Sequence, residues 1–363
     1  MKTFRCDHCR QPIYFENSRC LGCGHTLAYL PDIADMAALE PLDEAQGTWR
    51  SLAPASGDAV YRLCGNYTVH AVCNWAVLTS DDHALCRACR FTRVAPNLEV
   101  EGAVDAWRKL EIAKRRLIHS LIDLQLGPAD REQDAENGLA FDFLGDDPEN
   151  GEQPVLTGHA NGVITINVAE ADDVEREKRR VSLHEPYRTL LGHFRHEVGH
   201  YYWDRLIGGS DDVLERFRAL FGDEREDYAQ ALKKHYADGP PADWQERHVS
   251  SYATSHPWED WAETWAHYLH MVDTLQTADA CGVTILHPDP PPSSVAANEP
   301  GEPAKTDPFD ATILRWISLA VALNDLNRSL GLPDGYPFVL KPVAVEKLRF
   351  VNEVVSPARP RSA

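Results

Sequence analysis

The chain carries two histidines and a glutamate whose spacing can bind and use a metal ion. His196 and His200 lie four residues apart inside an apolar helical pattern, and Glu197 directly follows the first of them. On a helix, residues four apart project from one face, so both imidazoles can bind the same ion. Glu197 is offset by one position, so its carboxylate can exchange protons beside the metal without being a ligand. The alternative is a helix that bears two unrelated histidines.

A downstream segment offers the third ligand that such a site requires. A catalytic zinc has three protein ligands and an open fourth position for water. Glu259 and Glu263 lie four residues apart in a segment that starts at Pro257, which favours the first turn of a helix. This spacing permits either glutamate as the ligand, and the alternative is a solvated acidic stripe. His193 and His267 are expected on ordinary helix faces, outside the ligand set.

Eight of the nine cysteines form two further sets of potential ligands. The first set is Cys6, Cys9, Cys20 and Cys23, and the second is Cys64, Cys73, Cys86 and Cys89. Paired Cys-x2-Cys knuckles are typical of zinc ribbons with tetrahedral thiolate ligation. A redox role has less support, because no thioredoxin-like strand accompanies the pairs. His70 could replace one thiol of the second set, and Cys281 is left over as an expected buried free thiol.

The elements that position these residues are mostly helical. Apolar periodicity predicts helices over residues 101–126, 187–206, 258–277 and 309–330, with a further helical pattern through Tyr236. Residues 162–168 are predicted to form a strand, whereas the acidic stretch 128–152 is predicted to be a loop. Residues 287–308 contain seven prolines and are expected to form a surface excursion. The sequence therefore predicts an α+β fold that is rich in helices and has a small sheet.

Composition and charge restrict the partners and the compartment. The chain has 56 acidic and 36 basic residues, a net charge of −20, which disfavours nucleic acid and anionic membranes as partners. Hydrophobic residues make up 43%, as in an ordinary globular protein. Neither a secretory signal nor an apolar run of spanning length occurs, so a cytoplasmic location is expected. In that reducing compartment, cysteines are more often metal ligands than disulfides.

Taken together, the motifs resemble known peptidases. An HExxH motif followed by a distant Glu-x-x-Ala-Glu is similar to the glutamate-type zincins. Tyr252, seven residues before Glu259, extends that similarity to the anthrax lethal factor group. More closely, nearly the full chain resembles a bacterial family of zinc-binding metallopeptidases with an N-terminal zinc ribbon. The segments that carry this resemblance are Cys6–Cys9, Cys20–Cys23, Val72–Trp75, Gly192–Glu197 and Pro257–Glu263.

The resemblance implies a role for each residue of the site. Glu259 would be the third zinc ligand, Glu263 would support a ligand histidine, and Tyr252 would face the reacting carbonyl. Glu197 would take a proton from the attacking water and later protonate the leaving amine. Zinc and Tyr252 would share the charge of the oxyanion. By analogy with zincins, the strand at Ile164–Val168 would pair with an extended peptide substrate.

These patterns predict three regions and three zinc ions. The regions are a zinc ribbon at residues 1–30, a second cysteine zinc-binding region at 31–97 and a zincin-like metallopeptidase domain at 98–363. Because three complete ligand sets can be drawn without a shared residue, each chain is predicted to bind three Zn²⁺ ions, one catalytic and two structural. The substrate would be a peptide or a protein.

Two other functions are compatible with the sequence. In one, the chain is a DNA-associated protease whose ribbons bind nucleic acid, supported only by the basic residues Lys2, Arg5, Arg10 and Arg19. In the other, the chain is a non-catalytic zinc-binding protein whose ribbons dock a protein partner. The intact Glu197 favours an enzyme over that second alternative.

Overall fold

The computed structural model describes residues 2–146, 155–182, 189–285 and 308–356, which belong to two compact units. The first unit is Lys2–Arg179 and contains both cysteine sets. The second is Arg180–Ala363 and contains the HExxH motif. Strands concentrate in the first unit and long helices in the second, so the predicted α+β class with a helix-rich C-terminal part is confirmed.

The first unit opens with two antiparallel sheets. A two-stranded sheet pairs β1 with β2, and a five-stranded sheet has the order β3-β4-β5-β6-β7. These strands are β1 Phe4–Arg5, β2 Pro12–Ile13, β3 Thr26–Leu30, β4 Asp35–Asp43, β5 Thr48–Ser51, β6 Val60–Leu63 and β7 Ala76–Leu78. Residues spaced by two, such as Ala28 with Leu30 and Ala37 with Leu39, pack into one core. The five-stranded sheet was not predicted, because all of its strands except β4 have five residues or fewer and lie between the cysteine motifs.

A third sheet and a long helix complete this unit. After the short helix α1 (Gly65–Thr68), the elements are β8 Thr92–Val94, α2 Ala103–Asp123, β9 Ala140–Leu144, β10 Gly158–Ala160, β11 Val163–Asn167 and α3 Asp173–Ser182. The sheet order is β10-β11-β9-β8, so β11 has a neighbour on each side. The prediction that this strand pairs with substrate is therefore wrong, since its backbone groups are already used. The predicted loop 128–152 is also wrong over β9, whose strand is buried.

Helix α2 belongs to the cysteine-rich unit and not to the HExxH unit. Its apolar stripe is buried, and Arg116 forms an ion pair of 2.5 Å with Glu16. Arg108 and Arg115 donate to the backbone carbonyls of Ala71 and Val72, which adjoin the second cysteine set. These contacts attach the helix to the preceding region, and the first compact unit accordingly extends to Arg179.

The second unit is made of helices around a central one. Its elements are α4 Leu190–Leu206, α5 Asp211–Phe221, α6 Tyr228–Asp238, α7 Pro257–Cys281, α8 Pro308–Ser329 and α9 Pro342–Val355. The buried rings of Trp261 and Trp265 line the side of α7 that faces α4. A Cβ added at Gly199 would lie 3.0 Å from the Cα of Ala262, so glycine permits a close approach of the two helices. Trp261 also donates to the carbonyl of Gly199.

The predicted helices of this unit are observed, with two limits. Tyr187 and most of the Pro-rich segment 287–308 lie outside the described residues. Cys281 was expected to be buried, but it is exposed because α7 ends there, at the surface. In the parts of the chain that the structure describes, no helix is both long and apolar enough to cross a membrane.

Candidate metal centre

Helices α4 and α7 bring three potential ligands to one point. The ligand atoms of His196, His200 and Glu259 all lie within 4.8 Å of one another. Oε2 of Glu259 is 3.0 Å from Nε2 of His196 and 3.6 Å from Nε2 of His200. In a tetrahedral zinc site with bonds of about 2.0–2.1 Å, two ligand atoms lie about 3.3 Å apart. The three side chains therefore fit a zinc ion without rearrangement of the backbone.

The two carboxylate oxygens of Glu259 differ in their hydrogen bonding to the described residues. Its side chain is 1% exposed, and Oε1 accepts a hydrogen bond of 2.6 Å from the hydroxyl of Tyr228. Among the described residues, none forms a hydrogen bond with Oε2. Burial raises the pKa of Glu259, but the imidazoles of His200 and His196 outweigh this and hold it well below the usual value. A buried carboxylate oxygen that faces two imidazole nitrogens and has no other polar partner among the described residues is what a metal ligand provides.

Glu263 lies behind His196 and has both oxygens occupied. Oε1 accepts from Nδ1 of His196 at 2.7 Å, and Oε2 accepts from the hydroxyl of Ser250 at 2.6 Å. Burial is the largest influence on Glu263 and raises its pKa, but the hydrogen bond to His196, the charges of His196 and His267 and the hydrogen bond from Ser250 together lower it to about 2. A carboxylate on Nδ1 fixes the imidazole tautomer that leaves Nε2 for a metal. The two glutamates, equivalent by spacing, thus have different surroundings.

Glu197 and Tyr252 border the ligand group without belonging to it. Glu197 is only 5% exposed, and its Oε1 lies 3.9 Å from Nε2 of His193. Tyr252 is in a short 3₁₀ turn, with its ring centroid 5.9 Å from that of His196. Its hydroxyl forms no hydrogen bond with another described residue. Burial and, next, the charge of Glu259 raise the pKa of Tyr252, so the phenol stays protonated.

Sequence reasoning missed two residues that contact the glutamates, Tyr228 and Ser250. Tyr228 precedes Glu259 by 31 residues and lies on another helix, so no periodicity links the two. The hydroxyl of Ser250 accepts from the backbone of Ala253 and donates to Glu263. His267, by contrast, forms a buried contact of 2.6 Å with the hydroxyl of Tyr336 and does not belong to the group of potential ligands.

The two cysteine sets also have distances that suit zinc. Sγ atoms lie 3.6 Å apart in the pairs Cys6–Cys23 and Cys9–Cys20, and 3.7 Å apart in Cys73–Cys86. Zinc–sulfur bonds of about 2.3 Å place tetrahedral thiolates about 3.8 Å apart. All nine cysteines are free thiols. The two sets therefore fit two zinc ions, each held by four thiolates.

The second set consists of four thiols, as its sequence spacing allowed. Cys64, Cys73, Cys86 and Cys89 are all buried and form one group of potential ligands. The ring of His70 instead packs on Trp107, with centroids 5.2 Å apart. The histidine alternative is therefore not needed for a complete ligand set.

Comparison with known proteins identifies both parts of the chain. Residues 103–354 match a family described as "putative zinc-binding metallo-peptidase", and residues 3–100 match a zinc-ribbon domain family. Uncharacterized proteins of Mycobacterium bovis and Mycobacterium tuberculosis are each 45% identical over 360 residues, which cover 99% of this chain and 97% of theirs. No solved structure matches the chain. With its zinc ribbon, its two four-cysteine groups and its HExxH helix, the chain belongs to this zinc-binding metallopeptidase family.

Proposed function

We propose that the chain is a zinc-dependent endopeptidase whose catalytic ion is held by His196, His200 and Glu259. The observation that carries this proposal is Oε2 of Glu259, which lacks a hydrogen bond among the described residues and faces both imidazoles from a buried position. Three protein ligands leave a fourth position for water, as in catalytic rather than structural zinc sites. The adjoining Glu197 carboxylate supplies the base that such a site requires.

The neighbouring side chains can supply the remaining steps of peptide hydrolysis. When bound, zinc lowers the pKa of its water to about 7 and polarises the peptide carbonyl. Glu197 accepts the proton of the attacking water and then donates it to the leaving amine. Tyr252, protonated and without a hydrogen-bond partner among the described residues, donates to the oxyanion. Glu263 holds the ring of His196 in place.

The net charge and the cysteines bear on the substrate and the location that we propose. A net charge of −20 favours a peptide or protein substrate over the DNA-associated alternative. The presence of Glu197 beside the ligand group favours catalysis over a purely binding role. Two sets of four cysteines placed as potential metal ligands suit the reducing conditions of the cytoplasm, which we propose as the location. The ribbons could contact a protein partner, a role that leaves the active site unchanged.

Cleavage profiling tests this function with no assumed substrate. A mixture of proteome-derived peptides is incubated with the native protein and with Glu197→Gln, and new termini are identified by mass spectrometry. We expect cleavage only with the native protein, because the variant lacks the proton acceptor. Equal cleavage by both proteins, or by neither at full zinc content, would contradict the proposal.

We expect three zinc ions per chain. The two four-cysteine groups and the group around Glu259 share no residue, and each has distances that suit zinc. A further group, His8, Cys23 and His25, shares Cys23 with the first ribbon and adds no ion. Elemental analysis of fully reduced protein provides the count, and the double variant His196→Ala/His200→Ala should contain two ions. A content near one zinc ion per native chain would contradict the prediction that both four-cysteine sets bind zinc.

Tyr252→Phe should slow hydrolysis and leave zinc bound. The change removes one hydrogen-bond donor from the site, and the loss of an oxyanion donor reduces kcat by about 10²- to 10³-fold. Steady-state kinetics on a peptide found by profiling measures the effect, together with zinc content. Tyr268→Phe is the matched control, since its hydroxyl bonds Asn352 instead of a site residue. A kcat within twofold of native would exclude Tyr252 as the donor.

A further inference from the structure

The geometry points to Tyr228 as a positioning residue that makes Glu259 a ligand through one oxygen only. This inference rests on the proposed role of Glu259 as a zinc ligand. The hydroxyl of Tyr228 donates to Oε1 of Glu259 at 2.6 Å. The other oxygen, Oε2, is then the one that faces Nε2 of His196 at 3.0 Å and Nε2 of His200 at 3.6 Å. The two carboxylate oxygens thus differ: Oε1 accepts the hydrogen bond of Tyr228, and Oε2 is left to bind a metal.

The position of the Tyr228 ring is fixed from two sides. Tyr228 is the first residue of α6, and the preceding Asp227 caps that helix by accepting from the backbone of Gln230 at 3.0 Å. The ring packs against His256 and Trp258, with centroids 5.1 and 6.1 Å away. These two residues begin α7, the helix that carries Glu259. The start of α7 therefore both carries the carboxylate of Glu259 and packs against the ring of Tyr228.

A second contact joins the same two helix starts. Nδ1 of His256 accepts from the backbone of Trp258 at 3.1 Å and so caps α7. The other ring nitrogen, Nε2, lies 3.2 Å from the carbonyl of Glu226, two residues before Tyr228. These contacts hold the starts of α6 and α7 next to each other, with the Tyr228 hydroxyl beside Glu259. The hydrogen bond to Oε1 is consequently a preorganised feature of the site.

This arrangement has a chemical consequence for the site. A carboxylate whose second oxygen is held by a phenol has only one oxygen left for a metal, and the position needed for water stays open. In Tyr228→Phe, Oε1 is buried without its donor, and an unpaired buried carboxylate oxygen is costly. We expect the carboxylate to turn and to offer both oxygens to the metal. The second oxygen would then occupy space near the water position and disturb the tetrahedral arrangement of the ligands.

The experiment compares Tyr228→Phe with Tyr268→Phe, which loses a similar hydrogen bond on α7 to Asn352. The accessible catalytic zinc is removed with 1,10-phenanthroline while the thiolate-bound zinc ions are retained, and Co²⁺ is added to the emptied site. Visible absorption then reports the coordination number of cobalt. A separate competition with the chelator measures zinc affinity. Tyr228 is 38% exposed and the change removes one atom, so folding should persist, as circular dichroism would verify.

We expect Tyr228→Phe to weaken zinc binding by about 10- to 100-fold, the usual effect of losing a group that orients a ligand. Its cobalt absorption should fall to the weaker intensity of a five-coordinate site, whereas Tyr268→Phe should keep the native spectrum and affinity. A native spectrum for Tyr228→Phe, a zinc affinity within twofold of native, or equal losses in both variants would each overturn the inference. Because these measurements need no substrate, a lack of peptide cleavage would defeat the proposed function without deciding the role of Tyr228.

Discussion

Glu197→Gln should remove nearly all peptide hydrolysis while the zinc content stays at the native value. Glutamine has almost the same size as glutamate but cannot accept the proton of the attacking water. Positioned acid–base groups contribute about 10²- to 10⁴-fold to rate, and we expect a fall of that size in kcat/KM. The zinc should remain because Glu197 does not belong to the group of proposed ligands, His196, His200 and Glu259. Kinetics and elemental analysis on the same preparation measure both quantities.

Glu215→Gln is the matched control for this experiment. Glu215 lies on α5 of the same unit and is exposed, so the same chemical change occurs away from the site. Its activity should equal that of the native protein. If Glu197→Gln keeps more than a tenth of the native kcat/KM, Glu197 is not the general base. If it loses zinc together with activity, the residue supports the metal site instead of transferring protons.

Glu259→Ala should lose the catalytic zinc, whereas Glu263→Ala should only weaken its binding. The first variant deletes the buried Oε2 that faces both imidazoles. The second deletes the partner of Nδ1 of His196, and such a change typically costs about 10- to 100-fold in affinity or activity. Zinc per chain, measured after dialysis at a buffered free-zinc concentration, should therefore be two for Glu259→Ala and near three for Glu263→Ala at saturation.

A further variant makes this comparison sharper. Ser250→Ala removes only the hydroxyl that donates to Oε2 of Glu263, so its effect should resemble that of Glu263→Ala but be smaller. If Glu263→Ala loses a full zinc ion while Glu259→Ala keeps three, the two assignments are reversed. The similarity to the lethal factor group would then fail at its central residue. Equal, complete losses in both variants would also contradict separate roles for the two glutamates.

Local spacing was enough to predict the features that lie within one element. The four-residue separation of His196 and His200 fixes both imidazoles to one helix face, whatever the helix packs against. The Cys-x2-Cys pairs behave in the same way, since a knuckle places two thiols within reach of one ion by local geometry alone. Helices α4 and α7 followed from apolar periodicity, although α7 continues beyond the predicted end to Cys281.

Contacts between distant elements were decided only by the tertiary structure. Glu259 and Glu263 share one helix face, and the sequence could not say which of them meets the metal. The approach of α7 to α4 at Gly199 places Glu259 beside Nε2 of His196 and Glu263 beside Nδ1 of the same ring. Tyr228 likewise reaches Glu259 from another helix. Periodicity within a segment encodes which side chains share a face, but not how far two separate faces approach each other.

The same reason explains the strand that was assigned incorrectly. Residues 163–167 have the pattern of a strand, and they form one, but their neighbours in the sheet come from β9 and β10. Whether a strand lies at an edge depends on which other segments pair with it, and its own side chains carry little of that information. The sequence by itself determined the ligand types and the helices that bear them. The tertiary structure decided which oxygen, which nitrogen and which tyrosine meet at the candidate metal site, because those contacts join residues from separate elements.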